Sequence, residues 1–277
     1  MSDTQTAGVL FRAGKLEDAV AAANAAVRKS PTDLSARISL GEMLIFAGNL
    51  ERADIILDAA SQIEPEAAVV VAEFRQLLRA EMARRQLRRD GRLPEFLGEP
   101  TPVLRTLLAA LVAERAGDMV EAARLAAEAE AARPHCHGWA GDTEFDDFRD
   151  ADDMCAGVFE VLTTTGKYFW IPTERISTIE FHPPKRPRDL LWRRATMSVR
   201  NGPDGEVYLP AIYGSEDAAL DNALKLGRHT DWVGDAVVRG VGQRLYLVGE
   251  EARAIMDLTT IEFSEPAGQA GEAETGE

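Results

Sequence analysis

The side chains that could bind a metal or act as nucleophiles are few, and their spacing fits neither role. His135, Cys136 and His137 are adjacent, so their side chains diverge in an extended segment and match no usual zinc pattern. His182 and His229 lie in segments without an obvious nucleophile partner. We therefore expect structural or exposed histidines, with no metal and no catalytic role.

Acidic residues form a dense cluster just after these histidines. Its members are Asp142, Glu144, Asp146, Asp147, Asp150, Asp152 and Asp153. The cluster lacks the glycine and the terminal glutamate of a calcium-binding loop, so a solvated face or a helix N-terminal cap is expected. The chain also contains no GxGxxG, Walker A or GxSxG sequence. Phosphate-cradling and nucleophile-elbow chemistry therefore have no support, and we expect no cofactor.

Composition excludes further classes of protein. The 277 residues include 46 Asp and Glu against 31 Lys and Arg, a formal net charge of −15, which would repel a nucleic-acid backbone. Two cysteines are too few for a disulfide framework. The first residues do not resemble a secretory signal, and no apolar stretch approaches the ~18 residues that span a bilayer. We expect a soluble cytoplasmic protein that binds neither nucleic acid nor membrane.

The first part of the chain contains a helical repeat, whose helices would position any site there. Gly14, Leu16, Glu17, Ala19 and Pro31 recur 34 positions later as Gly48, Leu50, Glu51, Ala53 and Pro65, which is the tetratricopeptide period. Glycine ends the first helix of a pair, alanine allows close packing, and proline stops the second helix. A weaker third copy runs from Gly117 to Pro134. We predict three helical pairs and, on their concave face, a groove for an extended peptide or an amphipathic helix.

A long helical pattern at 66–92 interrupts the repeat. It carries the basic residues Arg84, Arg85, Arg88, Arg89 and Arg92. A solvated helix end is the expected role. A surface for an acidic partner is the alternative.

The second part of the chain is rich in glycine, proline, threonine and aromatic residues and predicts short strands. Three hairpins are expected, joining 158–162 to 168–171, 195–199 to 206–209, and 243–248 to 255–263, with a short helix at 217–226. The fold class is thus a TPR-like α-α superhelix followed by an antiparallel α+β domain. The predicted boundaries are 1–135 and 136–265, with a disordered acidic tail at 266–277.

Four motifs carry a resemblance to a known family. They are Tyr-Phe-Trp-Ile-Pro at 168–172, Arg-Asp-Leu-Leu-Trp at 188–192, Leu-Gly-Arg-His-Thr-Asp-Trp at 226–232 and Gly-Gln-Arg-Leu at 242–245. In this order after an alanine-rich helical repeat, they resemble the ImpE/TagJ family, accessory components of the bacterial type VI secretion system. The resemblance implies a two-domain fold and binding of the N-terminal helix of the sheath subunit TssB. For some members it also implies a link to ClpV, the AAA+ ATPase that disassembles the contracted sheath.

The charged and aromatic residues of these motifs are the candidate binding residues. They are Arg188, Asp189, Trp192, Arg228, Asp231, Trp232 and Arg244. One interpretation is a structural network in which arginines pair with carboxylates and stack on indoles; the other is a recognition surface. Two functions follow: a non-enzymatic adaptor, or an enzyme or small-ligand sensor that uses the Arg/Asp/Trp constellation.

Overall fold

The computed structural model describes residues 6–61, 68–214 and 219–265. Its first part is helical. The helices are α1 (Ala7–Arg12), α2 (Leu16–Lys29), α3 (Leu34–Phe46), α4 (Leu50–Ser61), α5 (Ala68–Asp90), α6 (Pro102–Arg115) and α7 (Met119–Ala132). The predicted tail at 266–277 lies outside the described residues.

Each helical pair turns at a glycine. Gly14, Gly48 and Gly117 have φ of 79°, 76° and 81°, the left-handed conformation that glycine adopts without a Cβ penalty. They separate α1 from α2, α3 from α4 and α6 from α7. The predicted TPR-like array is confirmed, with the long helix α5 between its second and third pairs.

Within the described residues the second part contains thirteen short strands, one short α-helix and three short 3-10 helices (Asp153–Cys155, Thr173–Arg175 and Pro187–Leu190). The strands are β1 (Gly138–Ala140), β2 (Thr143–Phe145), β3 (Phe148–Asp150), β4 (Val158–Leu162), β5 (Tyr168–Pro172), β6 (Ile176–Phe181), β7 (Trp192–Val199), β8 (Asp204–Pro210), β9 (Thr230–Val233), β10 (Arg239–Gly242), β11 (Leu245–Val248), β12 (Glu251–Ala254) and β13 (Thr260–Phe263). An eight-stranded sheet has the order β2-β1-β13-β6-β7-β8-β4-β5, beside a three-stranded sheet β12-β11-β3 and the ribbon β10-β9. The strand pairings are antiparallel, as predicted.

Two predicted hairpins are confirmed and the third is wrong. Strands β4 and β5 pair, as do β7 and β8. However, β11 pairs with β12, whereas β13 joins β1 and β6 in the large sheet. Gly249 at φ 60° permits a tight turn, so the return strand starts at Glu251. The predicted helix at 217–226 is shorter, α8 (Asn222–Lys225), and positions 217 and 218 lie outside the described residues.

The two faces of the eight-stranded sheet bury different cores. One face packs on the three-stranded sheet, where the rings of Phe159 and Phe148 stack with centroids 5.5 Å apart. On the other face, α5 covers β4, β5 and the adjoining parts of β7 and β8, and Phe74 meets Trp192 edge-on at 6.0 Å. The helical array and the strands therefore share one continuous core.

The inner face of the array, formed by α1, α3 and α5, is covered by the second part of the chain. Seven consecutive residues of α3, from Leu40 to Phe46, are buried. One side of α3 packs on α4 through Gly41, and the other side lies against the turn at Pro187–Leu190 before β7, whose Arg188 is close enough to Glu42 to act on its charge. This face is therefore not the open groove that the repeat predicted.

Candidate functional site

Helix α5 carries part of the basic group into the shared core. Arg84 is 4% exposed; its Nε lies 3.1 Å from Glu160 Oε1 on β4, and its Nη1 lies 3.3 Å from Glu81 Oε1. Arg88 is partly buried and donates to the Cys155 thiol at 3.9 Å. The expected solvated helix end is wrong for Arg84, because position 84 faces the sheet.

Arg244, from the fourth motif, also pairs with the Glu160 carboxylate. Its Nη1 lies 2.5 Å from Asp150 Oδ2, its Nη2 pairs with Glu160, and all three side chains are fully buried. Tyr213 also donates its hydroxyl to Asp150 at 2.7 Å. Burial alone would raise the pKa of Glu160, but the guanidiniums of Arg84 and Arg244 hold it well below its ordinary value.

Aromatic donors complete this buried charge network, which we define as Glu81, Arg84, Asp150, Glu160 and Arg244. The Tyr168 hydroxyl donates to Glu160 at 2.5 Å, and Trp170 Nε1 donates to that hydroxyl at 2.5 Å. Trp192 Nε1 donates to Glu81 at 3.3 Å. The network thus ties α5 to β4, β5 and β7 through polar contacts inside an apolar core.

A second buried charge contact joins α3 to the short turn before β7. The Arg188 guanidinium lies 4.7 Å from the ring centre of Phe74 and 3.9 Å from Glu73. Glu42 Oε1 and the Nε and Nη1 atoms of Arg188 are buried and have no hydrogen-bond partner within the described ranges. Burial raises the pKa of Glu42 to about 7, although Arg188 and Arg186 oppose this shift.

The remaining motif residues lie apart from the network. The Asp189 carboxylate accepts from the backbone N–H groups of Lys185 and Arg186 at 2.8 and 3.0 Å, so it caps the turn. The exposed Asp231 accepts from the backbone N–H of Trp232 at 2.8 Å, and Trp232 is 38% exposed.

Arg228 reaches back to the first helix of the chain. Its Nη2 donates to the carbonyls of Phe11 and Arg12 at 2.7 and 2.8 Å, where α1 ends. A cation is favourable at this end of a helix. Arg228, Asp231, Trp232 and Arg244 therefore do not line a common pocket.

Part of the acidic cluster is buried and hydrogen-bonded within the structure. Asp150 and Asp152 are both 1% exposed, so the expected solvated face is wrong for them. Asp152 accepts from the backbone N–H of Met154 at 2.9 Å, which confirms a helix-cap role, and from Arg239 Nε at 2.9 Å. Among residues 6–61, 68–214 and 219–265, no group of three or more His, Cys, Asp or Glu side chains could hold a metal ion.

Both cysteines are poor nucleophiles in this fold. Cys155 is fully buried, and burial together with Glu160 raises its pKa well above the ordinary value. Burial raises the pKa of Cys136 to about 12. A thiol that stays protonated at neutral pH neither attacks nor ligates.

A crevice opens beside the network at the junction of the two parts. It encloses about 270 Å³ between the end of α3, helix α5, Gly214 and the described residues from Leu220 to Lys225. Its apolar lining includes Ile45, Phe46, Leu191 and Leu224, with Arg84 at its base. The crevice admits a few side chains of a partner but is too small for a whole helix.

Comparison with known proteins identifies the chain. The family model "ImpE protein" matches residues 142–262 and the tetratricopeptide repeat model matches residues 10–77. A type VI secretion system accessory component, TagJ of Pseudomonas aeruginosa strain PAO1, is 31% identical over 254 residues, covering 92% of this chain and 89% of that protein. This chain belongs to the ImpE/TagJ family.

A solved structure has the same fold. The crystal structure of a Vibrio parahaemolyticus protein is 30% identical, covers 94% of this chain and 98% of that chain, and superposes with a TM-score of 0.87. This ImpE/TagJ member therefore shares the whole two-part architecture with a solved structure. None of the helices in the described ranges is long and apolar enough to span a bilayer.

The motifs identified Arg244 and Trp192 but missed their partners. Neither Glu81 nor Glu160 is singled out from the sequence, and Asp150 is named only as a member of the acidic cluster, although one signal marks Glu160. It is the single charged residue in the apolar segment Val-Phe-Glu-Val-Leu at 158–162. A carboxylate inside such a strand needs a buried cation, and the sequence does not say which arginine supplies it.

Proposed function

We propose that this protein is a non-enzymatic, cytoplasmic adaptor of a type VI secretion system that binds the N-terminal helix of the sheath subunit TssB. The proposal rests on one observation: the chain is 31% identical in sequence to a type VI secretion accessory component. The similarity extends over 92% of the chain and so includes both parts of the fold. The family resemblance supplies the partner. The mutual pairing of the buried network also favours an adaptor, because its charges are committed to one another.

The way in which the sheath helix binds must differ from the usual helix-in-groove arrangement of helical arrays. The inner face of α1, α3 and α5 is occupied by the chain's own second part, so a ligand helix there would displace a shared core. The crevice beside Phe46 is an opening at this junction, lined by apolar side chains and by the charged Glu81, Arg84 and Lys225. We propose that apolar side chains of the sheath helix insert there while the helix lies across the mouth.

Titration with a labelled peptide of the cognate TssB N-terminal helix tests the proposal. We expect micromolar affinity, on the order of −8 kcal/mol, because a free peptide loses conformational entropy when it folds on binding. Apolar burial predicts little change between low and high salt. Absence of binding by both the peptide and full-length TssB, with the protein folded, would refute the assignment.

A pair of equivalent substitutions locates the site. Ala47 lies at the exposed end of α3 and lines the crevice, so Ala47→Trp should fill the mouth and abolish peptide binding. Ala13 holds the same position at the end of α1, and Ala13→Trp should leave binding unchanged. If both variants changed peptide binding equally, the crevice would not be the binding site, although TssB could still be the partner.

The link to ClpV is a second step of the same proposal. We propose that the adaptor, when it holds the sheath helix, can also contact this ATPase. Size-exclusion chromatography of purified ClpV with the protein, in the presence and absence of the TssB peptide, tests it. Co-elution is expected; separate elution in both cases would remove ClpV as a partner.

A further inference from the structure

One half of a face of the large sheet carries no covering element within the described part of the chain. The register places its outward side chains on the same side as Glu160, next to the half that α5 covers. We call this half the open sheet face. Its side chains are Trp139, Glu144, Thr178, Glu180, Thr196, Ser198, Glu206, Thr260 and Glu262.

An exposed tryptophan stands in this face between two carboxylates. Trp139 on β1 is 45% exposed and lies directly opposite Glu144 on β2 and Glu262 on β13. Side chains opposite one another in antiparallel strands have Cβ atoms about 5 Å apart. An indole face flanked by two carboxylates suits an arginine or lysine, which can stack on the ring and pair at its edges.

The negative charge of the open sheet face is largely uncompensated. Glu206 pairs with Arg194 at 3.1 Å. Glu144, Glu180 and Glu262 are exposed, and within the described ranges no ion pair joins them to a cation. A row of unpaired carboxylates on one face favours a cationic partner and raises its rate of association.

The covered half of the same face shows what kind of element fits. There, helix α5 lies on the strands and places Arg84 against Glu160 of β4, with Trp170 and Trp192 beside the pair. The open half repeats these chemical types, with carboxylates and an indole on the sheet, but without the helix. Four of its strands, β2, β1, β13 and β6, span about 19 Å at about 4.8 Å per strand, enough for one helix of 10–12 Å diameter.

No helix of the described residues lies on the open sheet face, and the sequence segments outside them contain no lysine or arginine. The segment 266–277 contains glutamates and no lysine or arginine. A second copy of the chain carries the same net charge of −15, so face-to-face pairing would place carboxylates opposite carboxylates. Like charges directly opposite are destabilising, which leaves a different, basic protein as the occupant.

We infer that the open sheet face is a docking surface for a helix of a partner protein that presents a row of arginine or lysine side chains, with one cation stacked on Trp139 between Glu144 and Glu262. The inference is independent of the sheath subunit as partner. It also concerns a surface separate from the crevice.

A designed peptide tests this surface with the full-length protein. The probe is a labelled, alanine-based helical peptide of about 20 residues with arginine along one face, and the control peptide has glutamine in place of each arginine. We expect the arginine peptide to bind and to weaken as salt is raised. Equal binding of the glutamine peptide, or no binding at millimolar concentration, would overturn the inference.

Matched variants show where the peptide lies. Trp139→Ala and the double variant Glu144→Gln/Glu262→Gln should each weaken binding about tenfold. Trp232→Ala removes another exposed indole, and Glu51→Gln/Glu128→Gln removes the same charge from exposed positions on α4 and α7; both should bind as the wild type does. Unchanged affinity in the first pair would overturn the inference, as would an equal loss in the controls. Circular dichroism checks that each variant is folded.

Discussion

At the scale of single residues, the buried charge network is the most demanding feature of this protein. Removing charges from water costs several kcal/mol per ion, and pairing repays this cost only when every partner is present. The Glu160 carboxylate accepts hydrogen bonds from Arg84, Arg244 and Tyr168, so three donors satisfy it. We expect such a network to fix how α5 packs on the sheet more than it adds net stability.

Arg244→Ala should therefore destabilise the protein strongly. The truncation leaves Asp150 and Glu160 buried beside an unfilled space, and loss of one member of a buried pair costs about 3 to 5 kcal/mol. Asp231→Ala, at an exposed position in the neighbouring motif, should change the free energy of unfolding by less than about 0.5 kcal/mol. Urea denaturation of both variants measures the difference, and similar losses would contradict the assigned burial.

Glu42 should make stability depend on pH. Its pKa is raised from 4.5 to about 7 in the folded protein, so between these values the folded state holds a proton that the unfolded state has lost. The contribution of this group to stability therefore falls as pH rises through this window and stays low above pH 7.

Glu42→Gln cannot ionise and should remove that decline. We expect the free energy of unfolding of the variant to increase relative to that of the wild type between pH 5 and pH 8, by on the order of 2 to 3 kcal/mol. Each pKa unit corresponds to about 1.4 kcal/mol. Glu51→Gln, at an exposed position, serves as the control. Parallel pH profiles for Glu42→Gln and the wild type would show that the carboxyl titrates normally.

At the scale of elements, the contacts of α1 explain how a short helix is held. The helix has six residues, and helices of this length are not stable by themselves in water. Phe11 packs against Phe46 with ring centroids 4.9 Å apart, and Arg228 binds the last carbonyls. A residue of the third motif therefore secures the opposite end of the chain.

Arg228→Ala should loosen α1 without unfolding the rest. Loss of the cation from the helix end removes about 1 kcal/mol, so amide exchange across α1 should accelerate about fivefold while the strands keep their protection. Hydrogen exchange with mass spectrometry measures this. Arg253→Ala, a partly exposed arginine of β12, is the control; uniform acceleration over the whole chain would show that Arg228 acts on global stability instead.

At the scale of the whole molecule, the two parts are joined by a common core rather than by a linker. The core on the α5 side of the sheet contains residues of the helices and residues of the strands, including Leu77, Trp170 and Ile212. Separating the parts would expose the inner face of the array. Deletion of either part would therefore disrupt the shared core of the other.

The whole chain should unfold in one cooperative transition. Because both parts share a core, calorimetric and van't Hoff enthalpies should agree. Residues 1–135 expressed alone should lack a cooperative thermal transition, since Leu40, Ile45 and Phe46 would lose their cover. Two resolved transitions in the whole chain, or a cooperative isolated array, would show that the parts are independent domains.

The local elements could be predicted from the sequence because their causes lie within a few residues. A glycine in the left-handed conformation commonly ends a helix, so the spacing of Gly14, Gly48 and Gly117 after helical patterns was sufficient for the helical pairs. The hairpin of β4 and β5 followed in the same way from apolar alternation and a glycine turn. The ordered motifs identified the family, which the relative confirms.

Only the tertiary structure decided which charges meet and which surfaces stay open. The partners in the network lie far apart in sequence, 76 positions for Arg84 and Glu160 and 94 for Arg244 and Asp150, and any of several carboxylates could have served each arginine. The same holds for the inner face of the array and for the open sheet face, which depend on how two distant segments pack. Helix and turn formation is local, whereas burial depends on the whole chain, so the sequence determined the elements and the packing determined the site.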